Sequence, residues 1–435
     1  MTRRRRVLVI AYYFPPMGLS GVQRVAKFVR YLPDHGWHPT VLTVTPGAYF
    51  AYDPTLLAEV ETAGVEVVRT ASWDPTRLFG GGTTVALPDE RKRRWWAALN
   101  HMVFVPDNKV GWWPHAVRAG RRLLRRGAFA AVFSSAPPYT AHLVGASLAR
   151  WAGLPLLTDF RDDWLGNPRH VYPTPLHRRL HARLERRVLA QSRYVLTIND
   201  PIREALQRRA GAAGGRADVR VVPQGYDPAD FDVPPVPRPP DRLRLVYSGI
   251  FYDAQTPDPF LRAMALLRER RPEVRSRLEA VFVGLVPAAS QALAGQLGLT
   301  DAVQWAGYLP HREAVRQLLA ADVLWMTVGR RPGAEGISTS KLFEYFGARK
   351  PILALVPAGA AREALRRHGA AVVVEPDDVP AIAGALGHLF DRWQTGTLPA
   401  PDRAYVERFD RRHLAGELAA LLAEAATTAG GQRPA

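Results

Sequence analysis

Glu335-Gly336-Ile337-Ser338-Thr339-Ser340-Lys341-Leu342-Phe343-Glu344-Tyr345-Phe346-Gly347-Ala348-Arg349-Lys350-Pro351-Ile352-Leu353 runs from a polar loop into a short helix, then into a strand after Pro351. Ser338, Thr339 and Ser340 can each cap the helix, and an open helix N-terminus attracts anions. Lys341 in the first turn is poorly placed for the helix dipole, so a bound phosphate explains it better. Glu344, one turn on, can accept two hydrogen bonds from a ribose diol. The plain alternative is a Lys341–Glu344 surface pair at i,i+3, worth only about 0.2–0.5 kcal/mol. Two oppositely charged residues behind a capping loop favour the ligand-binding account.

The surrounding chain repeats a strand–helix alternation. Val7 to Ala11 is a short β-branched apolar run, and the loop Gly18-Leu19-Ser20-Gly21 follows it. Val22 to Leu32 then has helical apolar spacing, and Val41-Leu42-Thr43-Val44 reads as the next parallel strand. Arg242 to Gly249 restarts the pattern, and Ala280 to Gly284, Val303 to Trp305, Val323 to Met326, Ile352 to Leu355 and Ala371 to Val374 continue it. This alternation predicts an α/β protein with two Rossmann-like, doubly wound parallel-sheet domains facing a central cleft. The expected domains are 1–232 and 241–400. The proline-rich stretch 233–240 would be a stiff linker, since it can continue neither a helix nor a central strand. A helix over 401–426 would pack back on the first domain, and 427–435 would form a disordered tail.

Composition narrows the class. The 435 residues include no cysteine, which excludes disulfides and thiolate catalysis. No apolar run is long enough to span a bilayer, and Val7 to Ile10 is too short for a secretory signal. The expected place is the cytoplasm, with peripheral contact at an anionic inner membrane face as a further option. A formal net charge of +18 would attract nucleic acid, anionic lipid or diphosphates. It is carried almost wholly by arginine, which points to base composition as much as to a partner.

Three further segments carry chemistry. Phe14 to Arg24 sits between strand and helix, and Gly18 and Gly21 would let backbone N–H groups approach a diphosphate. It is neither a Walker loop nor G-x-G-x-x-G, and a plain tight turn is the other reading. Asp159-Phe160-Arg161-Asp162-Asp163-Trp164 ends a strand with three carboxylates, an arginine and an indole. Such a cluster could hold sugar hydroxyls, phosphate and a sugar ring, or be a solvated loop bridged by Arg161. Asp89 to Phe104 joins basic residues to paired Trp, which suits an interfacial membrane helix or a basic edge above a buried helix.

Taken together these motifs resemble glycosyltransferase family 4 (glycosyl transferases group 1, GT-B fold) over nearly the whole chain. Phe14 to Gly21 with Gly36-Trp37-His38-Pro39-Thr40-Val41-Leu42-Thr43 resembles the family's opening, and Asp159-Phe160-Arg161-Asp162 with Trp164 a bacterial variant. Val222-Pro223-Gln224-Gly225-Tyr226-Asp227 resembles its Pro-Asn-Gly-Tyr/Phe-Asp turn, with Gln224 in place of Asn. Ser340 to Pro351 resembles the helix that binds the donor.

The resemblance implies a retaining, metal-independent transferase without a cofactor, using a nucleotide-diphosphate sugar as donor and a glycan or lipid-linked acceptor. The C-terminal domain would bind the donor. Gly249, Ser340, Lys341, Leu342 and Glu344 would contact it, Lys341 near the diphosphate and Glu344 at the ribose. Gly18 and Gly21 would close on the phosphates, and Asp159, Arg161, Asp162 and Glu335 would form the catalytic pocket. Two departures stand out. The family's paired glutamates are separated by seven residues, but eight separate Glu335 from Glu344. The Arg and Lys that commonly follow the first C-domain strand are absent after Ser248, leaving Lys341, Arg161 and Arg330 as candidates to meet phosphate charge. A nucleotide-sugar epimerase on the same fold and a non-catalytic basic protein binding membrane or nucleic acid are the alternatives. No nucleic-acid motif supports the latter.

Overall fold

Val7, Leu8, Val9 and Ile10 have no exposed surface, although successive side chains of a strand point to opposite faces. A strand buried on both faces needs cover on both, and parallel sheets provide it through their crossover helices. The computed structural model, which describes residues 5–18, 20–47, 52–75, 102–167, 170, 172–212, 217–251, 255–331 and 333–430, has two such sheets. The segment Asp89–Phe104 falls mostly outside the described residues.

The first sheet comprises β1 (Arg5–Ile10), β2 (Trp37–Val44), β3 (Glu66–Thr70), β4 (Phe129–Ala136), β5 (Leu156–Phe160), β6 (Ser192–Thr197) and β7 (Asp218–Val221). Its order is β3-β2-β1-β4-β5-β6-β7, with every pairing parallel. Right-handed crossovers then send helices to opposite faces on either side of β1. Val7 and Val9 pack with α1 (Ser20–Tyr31), while Leu8 and Ile10 pack with α3 (Trp113–Arg126) and α4 (Thr140–Ala152). α2 (Pro54–Thr62) lies beside α1, α5 (Pro175–Gln191) beside α4, and α6 (Asp200–Ala212) beside α5.

The second sheet repeats the plan with β8 (Leu243–Ser248), β9 (Leu278–Val283), β10 (Val303–Gly307), β11 (Val323–Thr327), β12 (Ile352–Leu355) and β13 (Ala371–Val374), in the order β10-β9-β8-β11-β12-β13. Its helices are α7 (Asp258–Arg270), α8 (Ala288–Gln296), α9 (His311–Leu319), α10 (Ser340–Ala348), α11 (Ala360–His368) and α12 (Val379–Gln394). Phe260 and Met264 of α7 and Leu386 and Phe390 of α12 cover one face. Leu318 of α9, Leu342 and Phe346 of α10 and Leu365 of α11 cover the other.

The chain divides by its contacts into Met1–Pro223 with Arg411–Ala435, and Gln224–Asp410. The short α13 (Arg403–Glu407) stays with the second unit, and α14 (Arg411–Gly430) returns to the first, setting Leu414, Leu418 and Leu422 against the α1 side of the sheet. Residues 427–430, expected in a tail, are the last turn of α14. Residues 224–240 go with the second unit, so the proline-rich stretch is not a free linker. Arg238 makes a bidentate pair with Asp322 at 2.7 and 2.8 Å, and Arg316 donates to the Pro234 carbonyl. Charge is divided unevenly. Gln224–Asp410 carries 22 Lys and Arg against 22 Asp and Glu, so the whole excess of +18 belongs to the first unit.

Asp159, at the end of β5, has no exposed surface. Nε and Nη2 of Arg24 on α1 donate to its carboxylate at 2.9–3.2 Å, and Ser135 Oγ of β4 donates at 2.7 Å. Arg24 also donates to the carbonyls of Val222 and Pro223 at 2.9 and 2.6 Å. Burial alone would push the Asp159 pKa up, but Arg24, aided by Arg161 and Ser135, outweighs it and holds the pKa below the usual carboxylate value. Arg24→Met would leave a buried carboxylate unpaired, and urea denaturation should show a loss of about 3–5 kcal/mol. A folded-state pKa below the unfolded one gives stability above the unfolded value, lost as pH falls through the folded value. The double variant Arg24→Met, Asp159→Leu should therefore lose less stability on acidification than wild type; equal acid sensitivity would exclude this pair as its source.

Candidate functional site

Two strand ends of the second sheet come together beside Lys341. β8 ends at Ser248 and turns at Gly249, whose φ is +142°, a value that side-chain-bearing residues rarely adopt. The Gly249 N–H donates to Val283 O at 2.8 Å, so the turns after β8 and β9 are in direct contact. Gly284 (φ +116°) makes that contact possible, because any Cβ there would collide with the Gly249 carbonyl. A Cβ on Gly249 would itself lie 2.7 Å from Lys341 Cε and 2.9 Å from Nζ.

Lys341 therefore lies over bare backbone, on the first turn of α10. Its Nζ donates to the Tyr247 hydroxyl and sits 3.7 Å from that ring's centre. Tyr247 is stacked on Phe251 at 4.1 Å, so the ammonium rests against an aromatic platform. Desolvation in this setting brings the Lys341 pKa down to about 7, opposed by the charge of Glu344. No carboxylate lies within ion-pair distance of Lys341 among the described residues. Tyr345, one residue beyond Glu344, is fully buried; its hydroxyl accepts from Ser248 N–H at 2.9 Å and donates to Trp325 O at 3.0 Å. It fixes α10 to the end of β8 and the middle of β11.

At the start of α10, Thr339 is the N-cap residue but makes no capping hydrogen bond through its side chain. Its buried Oγ1 has no partner among the described residues. Leu342 is fully buried, so only its backbone is available to a ligand, and Glu344 is half-buried on the same helix as Lys341. Glu335 is exposed on a short 3-10 turn, Ala334–Gly336, whose backbone is pressed against Gly359. Its side chain has no ion-pair partner among the described residues.

The residues singled out in the first unit have other occupations. Asp159 is the buried partner of Arg24 and presents no surface to a substrate. Arg161 is also buried, donating to the carbonyls of Ala136, Pro137 and Gly21, so it is not a free phosphate cation. Gly21 is the residue against which Arg161 packs, and the Cβ position of Gly18 is filled by Asp53 at 2.9 Å. Asp162 is half-buried, and its charge acts on Arg161 and Tyr139. Trp164 is fully buried, stacked on Tyr139 at 4.4 Å and donating to His181 Nδ1 at 3.0 Å, and offers no open face to a sugar. Arg330 is paired with Glu375 and Asp377. Of the three candidate phosphate cations, Lys341 alone keeps an uncommitted charge.

Tyr247, Tyr345 and Gly284 escaped the reading of the sequence. Two were apolar-run residues indistinguishable from core, and Gly284 mirrors Gly249 at the end of the adjacent strand, a parallel that could have flagged it. Among the described residues no group of three or more His, Asp or Glu is placed to hold a metal ion.

Known families agree with this geometry. Residues 229–396 match the model described as glycosyl transferases group 1, and residues 21–225 match the glycosyl transferase 4-like domain. The chain belongs to the family 4-like, GT-B glycosyltransferases. Similar proteins include D-inositol 3-phosphate glycosyltransferases of Streptomyces scabiei, 31% identical over 37% of this chain and 36% of that one, and of Streptomyces coelicolor, 34% identical over 20% and 21%. The chain thus matches about a third or less of these curated relatives' length. Among solved structures, a Rickettsia africae glycosyltransferase aligns with a TM-score of 0.64 at 13% identity, over 97% of this chain and 98% of that one. HepE of Anabaena in complex with UDP aligns with a TM-score of 0.62 at 14% identity, over 97% and 100%. At such identity these two show a shared fold.

Gly249→Ala should displace Lys341, and both it and Gly284→Ala should cost about 1–3 kcal/mol through strained φ, with backbone collision added at Gly284. Urea melts and UDP titration of both variants check this; unchanged UDP affinity in Gly249→Ala would separate Lys341 from the ligand.

Proposed function

We propose that the chain moves a sugar from a nucleotide-diphosphate sugar to a glycan or lipid-linked acceptor, with retention of configuration and without a metal ion. The observation that carries this reading is the Lys341 ammonium, held over glycine backbone at the N-terminus of α10 without a carboxylate partner among the described residues. An anion is the missing partner for such a group, and a helix N-terminus adds donors for it. In this reading Lys341, Thr339 Oγ1 and the N–H groups near Ser340 and Leu342 meet the diphosphate. Glu344, one turn along, holds the ribose hydroxyls. Gly249 admits the diphosphate close to the backbone, and Glu335 lies toward the sugar.

Catalysis then rests on stabilising the leaving diphosphate as its charge grows. A lysine whose pKa lies near 7 in the empty site gains a proton as the diphosphate arrives. The UDP and UDP-glucose complexes of HepE make uridine nucleotides the first donors to try. The first unit would take the acceptor. An inositol phosphate, named for the Streptomyces relatives, is one candidate.

Isothermal titration with UDP should show affinity falling about ten- to a hundredfold in Lys341→Ala and in Glu344→Ala, the range for a lost hydrogen bond to a charged group. Affinity in wild type should decline as pH rises above 7, by up to about tenfold per unit, because the free lysine must first be protonated. Lys341→Ala should abolish that slope. Tight, pH-independent UDP binding by the alanine variant would remove Lys341 from the site. Transfer measured by NMR should retain the anomeric configuration and survive EDTA; an inverted product or loss of turnover would overturn those parts of the reading.

A further inference from the structure

The first unit has a second feature that donor chemistry does not use. Its helices α3, α4 and α5 lie on one face of the sheet, packed side by side. They carry eleven arginines, Arg118 to Arg126 on α3, Arg150 on α4 and Arg178 to Arg187 on α5, and one acidic residue, Glu185. All eleven arginines are exposed, and none pairs with a carboxylate among the described residues. Glu185 is buried and held by Arg209. Three acidic side chains nearby are paired too: Asp163 with Arg209, and Asp200 and Glu204 with Arg203. The second unit, by contrast, balances its charges one for one. Arginine-rich composition acts on both units alike and does not explain this partition.

Apolar side chains stand among these charges. Trp113 and Trp151 are 39% and 40% exposed, and Leu176 and Leu180 on α5 are 61% and 42% exposed. Trp73, 72% exposed, meets His115 of α3 edge-on, and the Met102 carbonyl contacts His177 of α5. Arg121 and Arg125 lie over the Trp151 ring at 5.6 and 5.3 Å. Trp113, Arg118, Arg121, Arg122 and Arg125 line a shallow surface depression. Arginine and tryptophan together suit the headgroup level of a bilayer, where charge meets anionic lipid and indole meets the acyl boundary. A nucleic acid would use the arginines but would leave the isolated leucines in water.

We propose that the α3–α5 face of the first unit binds the surface of an anionic membrane peripherally. No helix among the described residues is long and apolar enough to cross one. The contact stands independently of the transfer reading, and it would bring a lipid-linked acceptor to an enzyme with a diffusible donor.

Flotation of the full chain with vesicles tests this. Phosphatidylcholine vesicles containing phosphatidylglycerol should capture the protein, and pure phosphatidylcholine should not. Each basic residue at an anionic surface multiplies partitioning about fivefold. The variant Arg118→Gln, Arg121→Gln, Arg122→Gln, Arg125→Gln should bind roughly 25-fold more weakly even if only two of the four reach the lipid. Trp113→Ala with Trp151→Ala should weaken binding while preserving its dependence on phosphatidylglycerol. UDP affinity, measured on the same samples, should be unchanged in both variants, which separates this contact from the donor site. Equal capture by both vesicles, no loss in the arginine variant, or tighter binding to duplex DNA than to vesicles at the same salt would overturn the proposal.

Discussion

A carboxylate with no access to water, such as Asp159, must have its charge answered inside the protein. Arg24 answers it from α1, and the same guanidinium reaches the carbonyls of Val222 and Pro223, the last residues before the chain leaves the first unit. One planar fork thus joins the β5 end, the first helix and the exit strand. Arg161, two residues on, does the same with the carbonyls of Ala136, Pro137 and Gly21. The carboxyl end of the first sheet is held together by buried charge, and its most polar motif is internal structure.

The second unit solves a related problem with opposite means. Here glycines bring backbone against backbone, and the space above them receives Lys341. Tyr247 and Tyr345 fix the lysine and its helix through one hydroxyl each, leaving the ammonium without a carboxylate counterion among the described residues. The two arginine sites of the first unit are satisfied by carboxylate or carbonyl oxygens, whereas Lys341 has only the Tyr247 hydroxyl and the Tyr247 and Phe251 rings among the described residues. That difference in satisfaction, more than the number of charges, distinguishes a scaffold from a binding site.

The same distinction sorts the net charge. An arginine bias across the chain read as a property of composition. Once the fold assigns residues to units, the second unit proves neutral, with 22 basic and 22 acidic side chains. The excess sits on the first unit, where exposed arginines crowd one layer of helices.

Residue order alone was enough for the two doubly wound sheets, because runs such as Val7 to Ile10 and Ala280 to Val283 are apolar throughout and alternate with helical spacing. It also placed Lys341 and Glu344 on one short helix behind a polar loop, as α10 has them. It misjudged Asp159, Arg161 and Trp164, whose polarity suggested a pocket. Their partners Arg24, Gly21 and His181 are 135, 140 and 17 residues away, and only folding brings them into contact. Local spacing reports what a segment could bind, whereas burial and distant partners decide whether that capacity is already filled. Tertiary structure alone therefore decided that Asp159, Arg161 and Trp164 are buried and internally bonded, while Lys341 is left without a carboxylate partner among the described residues.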